Sequence, residues 1–115
     1  MSDSEHSAYH FALIASNDRN LGRIIATTLR GLPLDVQIVA SAELADVVLD
    51  NCALIVLDGE IPPQLPGFQG ALIVFSPDNT LDSYDRGADL VVHRPIAPNV
   101  LAARIRSVLR RYYAF

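Results

Sequence analysis

Short apolar runs alternate along the chain with segments in which apolar residues recur at helical spacing. Five runs predict β-strands: residues 11–16, 35–40, 53–57, 71–75 and 90–92. The run 35–40 alternates apolar and polar positions, whereas 53–57 and 71–75 are continuously apolar, which is typical of strands covered on both faces. Strands that alternate with helices indicate a parallel α/β sheet with right-handed crossovers.

The segments between these runs predict three amphipathic helices. In residues 19–30 the apolar positions recur at helical spacing, and Gly31 supplies a C-terminal stop. Ser41 is a candidate cap for a second helix, which reaches residue 50. Pro98 stands where a first-turn proline belongs and begins the last helix. The positions predicted to face inward are Leu21, Ile24, Ile25 and Leu29, then Leu44, Val47 and Val48, then Val100, Leu101, Ile105, Val108 and Leu109.

Two connections are unusual for such a sheet. Residues 59–70 join the third and fourth strands and include three prolines, which remove hydrogen-bond donors and break helix interiors. We predict an irregular loop there, or at most one turn. Residues 76–88 have room for about two helical turns, for which 81–86 before Gly87 is the best candidate. The sequence therefore predicts a sheet with one helix missing or reduced and the next one short.

Composition excludes several kinds of chemistry. All nine basic residues are arginine, so Schiff-base chemistry, a lysine nucleophile and a P-loop lysine are excluded. The single cysteine, Cys52, can form neither an internal disulfide nor a thiolate metal cage. Residues 1–93 carry all 13 acids and four arginines, whereas 94–115 carry five arginines and no acid. This acidic body with a basic tail argues against general nucleic-acid binding and indicates a basic surface for an acidic partner.

Polar residues follow four of the five predicted strands. They are Ser16, Asn17 and Asp18 after the first, Asp58 with Gly59 and Glu60 at the end of the third, Ser76 after the fourth, and His93, Arg94 and Pro95 after the fifth. In open α/β sheets, ligands and chemistry gather at the carboxyl ends of the strands. A carboxylate, a hydroxyl and a guanidinium at one rim form a constellation suited to a phosphoryl group.

Three segments resemble the response-regulator receiver domains of bacterial two-component signalling. The strongest is GADLVVHRPIAPNVLAARIRSVLRR, and the others are LIVLDGEIP and ALIVFSP. The resemblance covers about residues 10–111. It implies a flavodoxin-like, doubly wound five-stranded parallel sheet with strand order 2-1-3-4-5. It also implies one receiver-like domain over residues 1–115, with a polar extension at 1–9 and a core of about 10–113.

The resemblance implies a role for each residue at the rim. Asp58 matches the phosphoacceptor and Ser76 the hydroxyl that senses the phosphoryl group, while Arg94 stands where receivers carry a lysine. Arginine keeps the positive charge but differs in shape and reach, and it could instead form a fixed salt bridge with Asp58. Val91 stands where many receivers place an aromatic switch residue.

The metal site that the resemblance implies departs most from the family pattern. Receivers hold Mg²⁺ with an acidic pair after the first strand, and those two places here are Ser16 and Asn17. The remaining candidate ligands are Asp58, Asn17, Asp18 and the backbone carbonyl of Glu60, which is a weak set for Mg²⁺. Asp18 is either a substitute ligand or a helix N-cap, and we favour the cap. Bound Mg²⁺ is therefore doubtful, and slow or absent phosphorylation is expected.

These observations favour a degenerate receiver-like module that acts through protein contacts and is not an enzyme. One alternative is a working but atypical receiver phosphorylated on Asp58, and another is a small flavodoxin-like ligand binder or enzyme. The resemblance implies a sensor kinase, phosphotransfer protein or effector domain as partner. It also implies a homodimer through the last strand and helix and a bacterial cytoplasmic location. The charge distribution argues against direct nucleic-acid binding, and the short apolar runs argue against a membrane span.

Overall fold

A computed structural model describes residues 11–113 of the chain. It contains a parallel five-stranded sheet of order β2-β1-β3-β4-β5, which confirms the predicted fold. The strands are β1 (Phe11–Ala15), β2 (Asp35–Val39), β3 (Cys52–Asp58), β4 (Ala71–Phe75) and β5 (Leu90–Val92), and the helices are α1 (Arg19–Leu29), α2 (Thr80–Asp85) and α3 (Pro98–Tyr112). None of the helices in this part of the chain is long and apolar enough to cross a membrane.

The central strands are buried on both sides, as their continuous apolar composition predicts. Alternate residues of β1, β3 and β4 point to opposite faces and build two hydrophobic clusters. One cluster includes Ile14, Val56 and Ile73 and is covered by α1 and α3. The other includes Leu13 and Ile55 and is covered by the segments that follow β2 and β3. The sheet is thus fixed between two apolar layers, with its strand ends free to carry polar residues.

Helices α1 and α3 lie side by side, and each buries a narrower stripe than the sequence predicts. Leu21, Ile25 and Leu29 of α1 are buried, as are Leu101, Ile105, Val108 and Leu109 of α3. The prediction was wrong for Ile24, which is 46% exposed, and for Val100, which is 40% exposed. Both residues lie at the margin of an apolar stripe, where helical periodicity alone does not show how far the neighbouring layer extends.

The predicted helix over residues 41–50 is wrong in type and length. The structure has a 3₁₀ helix at Ser41–Asp46, followed by Val47 in an extended conformation. The N-cap of this 3₁₀ helix is Ala40, whose backbone N–H donates to the Glu43 carboxylate. Ser41 is therefore the first residue of the helix and not its cap. Leu44 is buried as predicted and Val47 is half-buried, but Val48 is 73% exposed because the chain leaves the helix before reaching it.

Residues 59–70 form the irregular loop that their prolines predict, and they contain no helix. Ile61 is buried, and Leu65 and Phe68 pack against the same hydrophobic cluster, so the loop covers part of the sheet that a crossover helix would otherwise cover. The next connection contains only the short α2, capped by the Asn79 side chain and ended by Gly87 at φ +108°. A positive φ of this kind favours glycine and stops the helix there.

Candidate functional site

The residues singled out by the sequence gather at one rim of the sheet. Asp58 is the last residue of β3, Ser16 follows β1, Ser76 follows β4, and Arg94 lies two residues beyond β5. Strands β1, β3 and β4 are consecutive neighbours in the sheet, and β5 is the next strand outward. Since all strands are parallel, their carboxyl ends meet at one edge, which is where α/β sheets place their ligands.

Asp58 accepts hydrogen bonds on both of its carboxylate oxygens. The guanidinium Nη2 of Arg94 donates to Oδ1 and forms a salt bridge with it. The Ser16 hydroxyl donates to Oδ2 at 2.8 Å. The Asp58 side chain is only 18% exposed, so this carboxylate is largely shielded from solvent while each of its oxygens accepts a hydrogen bond.

Ser16 links Asp58 to the start of α1. Its hydroxyl oxygen accepts the backbone N–H of Asp18 at 2.9 Å while its proton goes to Asp58. The residue is 7% exposed, and its backbone N–H donates to Val39 of β2. A buried hydroxyl that is satisfied on both sides fixes its neighbours in position. The sequence predicts Ser16 at the rim, in place of an acidic residue, but it does not predict this contact.

Asp18 is the N-cap of α1, as the sequence analysis favoured. Its Oδ1 accepts the backbone N–H groups of Asn20 and Leu21 at 3.0 and 3.2 Å. Its second oxygen, Oδ2, accepts from Nη1 of Arg94 at 3.1 Å. The Arg94 guanidinium therefore uses two different nitrogens to bridge Asp18 and Asp58, which an arginine fork does well and a lysine ammonium on a flexible stem does less well.

The candidate ligand Asn17 has a partner outside the Asp58 network. Its side-chain oxygen accepts the backbone N–H of Ser41 at 3.1 Å, which ties the end of β1 to the 3₁₀ helix. The candidate ligand from Glu60 is its backbone carbonyl, and its side-chain carboxylate accepts the backbone N–H of Asp78 at 2.8 Å. Within residues 11–113 no group of three or more His, Cys, Asp or Glu side chains is arranged to hold a metal ion.

The donor set as it is arranged does not fit Mg²⁺. That ion needs near-octahedral oxygen ligands and usually at least one available carboxylate. Here every carboxylate oxygen of Asp18 and Asp58 already accepts from a donor, and a permanent cation lies between the two side chains. A divalent ion brought to this point would meet the positive charge of Arg94, which opposes its binding.

Ser76 and Val91 lie near the site but do not extend this network. Ser76 adopts a left-handed conformation at φ +46°, and its hydroxyl oxygen is 3.4 Å from the backbone nitrogen of Arg94, a long contact. Val91 is buried, and its backbone N–H donates to the Tyr84 hydroxyl at 3.1 Å. Among the described residues the Asp58 network thus consists of side chains from Ser16, Asp18 and Arg94.

Within the described residues, His93 does not join the Asp58 network. His93 is exposed at the end of β5, and its ring contacts the Thr80 hydroxyl at 3.0 Å. His6 and His10, together with the predicted polar extension at 1–9, lie outside the described residues. Cys52 is buried at the start of β3.

The fold has many relatives among solved structures. No family model and no curated protein matches the chain. A receiver domain of a Francisella response regulator aligns with a TM-score of 0.65 and 19% identity, covering 90% of this chain and 99% of that one. A signal receiver domain from Vibrio parahaemolyticus aligns with a TM-score of 0.69 and 16% identity over 90% and 92%. A response regulator receiver domain protein from Methanospirillum hungatei gives 0.62 and 20% over 90% and 95%. With these alignments and its strand order, the chain has the fold of response-regulator receiver domains.

Proposed function

We propose that the protein is a receiver-type signalling domain that acts through protein contacts, with little or no phosphorylation of Asp58. The observation that carries this proposal is the Arg94 guanidinium bridging Asp18 and Asp58. A permanent internal cation supplies the charge neutralisation that a metal ion would otherwise provide at Asp58. The site is then held in one state by its own side chains, as a fixed interaction module requires.

Chemistry at the carboxylate supports this reading. To accept a phosphoryl group, an Asp58 oxygen must use a lone pair to attack phosphorus, and the approach of two anions needs a cation free to move with the reaction. Arg94 is already committed to two carboxylates, and the Ser16 proton is already committed to Asp58. Phosphorylation would have to break these contacts first, which raises its barrier.

The partner would be a protein of the same signalling system, such as a sensor kinase, a phosphotransfer protein or an effector domain. A cytoplasmic location belongs to the same proposal, because two-component proteins of this type act there. The loop 59–70 replaces a helix on one face of the sheet, so that face differs in shape from a receiver with all its helices. A partner that binds this face would distinguish the chain from other receivers.

An atypical but working receiver is the second candidate, and one observation favours it. Arg94 lies directly against Asp58 and offers a bidentate fork, which suits phosphate oxygens as well as carboxylates. In that case Arg94 would leave Asp18 and hold the phosphoryl group, with the Ser76 hydroxyl close to its backbone. The two candidates make opposite predictions about a phosphodonor.

Intact-mass measurement after incubation with Mg²⁺ and acetyl phosphate separates them. The interaction-module proposal predicts no stoichiometric phosphoryl adduct on the wild-type chain. Asp58→Ala is the matched control, since it removes the acceptor while leaving the remaining carboxylates available for nonspecific labelling. A stoichiometric adduct that is lost in Asp58→Ala would establish the working receiver instead.

A further inference from the structure

Helices α1 and α3 form a surface whose only charged side chains are arginines. No Asp or Glu occurs in residues 19–30 or 98–112. In the described part of the chain, the ion pairs involve only Arg86 and Arg94, so the arginines of this surface have no carboxylate partner there. They are Arg19, Arg23, Arg30, Arg104, Arg106, Arg110 and Arg111.

An apolar groove of about 430 Å³ runs between these two helices. Arg23 lies at its rim, and its floor includes Ile24, which is 46% exposed although the helical pattern predicts it to be buried. A permanent positive charge beside an accessible apolar surface is suited to a partner that offers an apolar side chain next to a carboxylate. The groove is also lined by Thr27, Thr28, Pro98, Asn99 and Ala102.

Helix α2 presents the complementary chemistry. Leu81 is 76% exposed and Tyr84 is 44% exposed, and at a spacing of three residues they share one face of the helix. Asp82 and Asp85 lie beside them, and only Asp82 has an ion pair, a long one of 3.8 Å to Arg86. Helix α2 is therefore a short acidic element with an unburied leucine in its first turn.

The two surfaces cannot meet within one molecule. The connection from β1 to β2 and the connection from β4 to β5 run in opposite directions across the sheet of order β2-β1-β3-β4-β5. Since both crossovers are right-handed, α1 and α2 lie on opposite faces. A contact between the groove and α2 therefore requires two copies of the chain, and it joins unlike surfaces, which makes the interface heterologous.

We propose that α2 of one molecule docks into the α1–α3 groove of a second copy, with Leu81 against Ile24 and an α2 carboxylate against Arg23. A second copy is the favoured occupant because both halves of the interface, matched in charge and in apolar character, are present on this chain. The contact repeats from molecule to molecule, so it produces head-to-tail chains and not a closed symmetric dimer. It goes beyond the proposed function, and its test does not involve Asp58.

Sedimentation velocity across protein concentration tests the assembly. At about 20 mM NaCl the weight-average sedimentation coefficient should rise with concentration beyond the value for a dimer, and about 500 mM NaCl should lower it, because salt screens exposed charges. A chain that stays monomeric at high concentration in low salt overturns the proposal. Salt-sensitive binding of a duplex DNA probe by that monomer would then assign the arginine surface to nucleic acid.

Two exposed-site variants identify the surfaces. Ile24→Glu alters the groove and Leu81→Arg alters α2, and each should weaken self-association by at least about tenfold, the effect of removing one buried leucine contact. Val48→Arg is the matched control, since Val48 is 73% exposed outside both surfaces, and it should assemble like the wild type. Circular dichroism checks that all three variants fold.

Mixing the two defective variants gives the decisive result. Ile24→Glu still carries an intact α2, and Leu81→Arg still carries an intact groove, so an equimolar mixture should form heterodimers that cannot extend. A mixture that remains monomeric, or single variants that assemble as well as Val48→Arg, would contradict this interface. A symmetric dimer that survives both substitutions would also overturn it, and none of these outcomes changes the phosphodonor result expected for Asp58.

Discussion

Replacing Arg94 with alanine removes the cation that lies between two carboxylates. The ion pair with Asp58 is partly shielded from solvent, since the Asp58 side chain is 18% exposed. The ion pair with Asp18 is more open, since the Asp18 side chain is 43% exposed. An exposed ion pair contributes about 0.5 kcal/mol, and the sheltered pair contributes more, so we expect Arg94→Ala to lower the free energy of unfolding by about 1.5 kcal/mol. For a chain of this length that loss corresponds to a fall in Tm of about 6 °C.

Urea unfolding followed by circular dichroism measures this loss, and Arg104→Ala is its matched control. Arg104 is exposed on α3 and has no ion pair among the described residues, so its substitution should stay within about 0.5 kcal/mol of the wild type. The difference between the two variants should shrink in 1 M NaCl because salt screens the more exposed pair. Equal stability of Arg94→Ala and the wild type would refute the reasoning.

Three further predictions concern residues outside the site. Gly70→Ala should destabilise the fold by about 3 kcal/mol or more in urea unfolding, because a Cβ there would lie 2.4 Å from a backbone carbonyl oxygen of β3, whereas Gly31→Ala meets nothing within 4 Å and should be close to neutral. Burial raises the pKa of the Cys52 thiol to about 11, so thiol reagents at pH 8 should label it only after unfolding. Burial and the hydrogen bond to Asp89 raise the pKa of Tyr112 from 10.0 to about 12. The stability that this contact contributes is therefore complete below pH 10 and lost as the pH rises through about 12, and Tyr112→Phe should reduce the loss of stability measured between pH 10 and pH 12.

The strands and the order of elements could be predicted because burial on both faces leaves a strong local signal. Residues 71–75 and 90–92 read as continuous apolar runs, and the structure has strands at the same positions. The prediction of a helix after β2 was wrong because the apolar positions of that segment fit a helix, whereas the chain must become extended again before β3. Local spacing does not record that constraint, and the 3₁₀ helix at Ser41–Asp46 is the result.

The positions of the site residues could be predicted, but their contacts could not. Strand ends placed Asp58, Ser76 and Arg94 at one rim, but the sequence left open whether Arg94 takes the role of the receiver lysine or forms a fixed salt bridge with Asp58. The Ser16 hydroxyl gave no sequence signal, since a serine after a strand is also an ordinary turn residue. Its hydrogen bond to Asp58 spans 42 positions along the chain and depends on β1 and β3 being neighbours.

The central claim is that the Arg94 guanidinium, and not a metal ion, neutralises Asp58. The most direct measurement is a titration with Mg²⁺ to about 20 mM, a generous excess for a weak oxygen-ligand site, followed by the NMR amide signals of Gly59 and Glu60. The account predicts no saturable shift in the wild-type chain. Saturable shifts at millimolar Mg²⁺ that vanish in Asp58→Ala would contradict it.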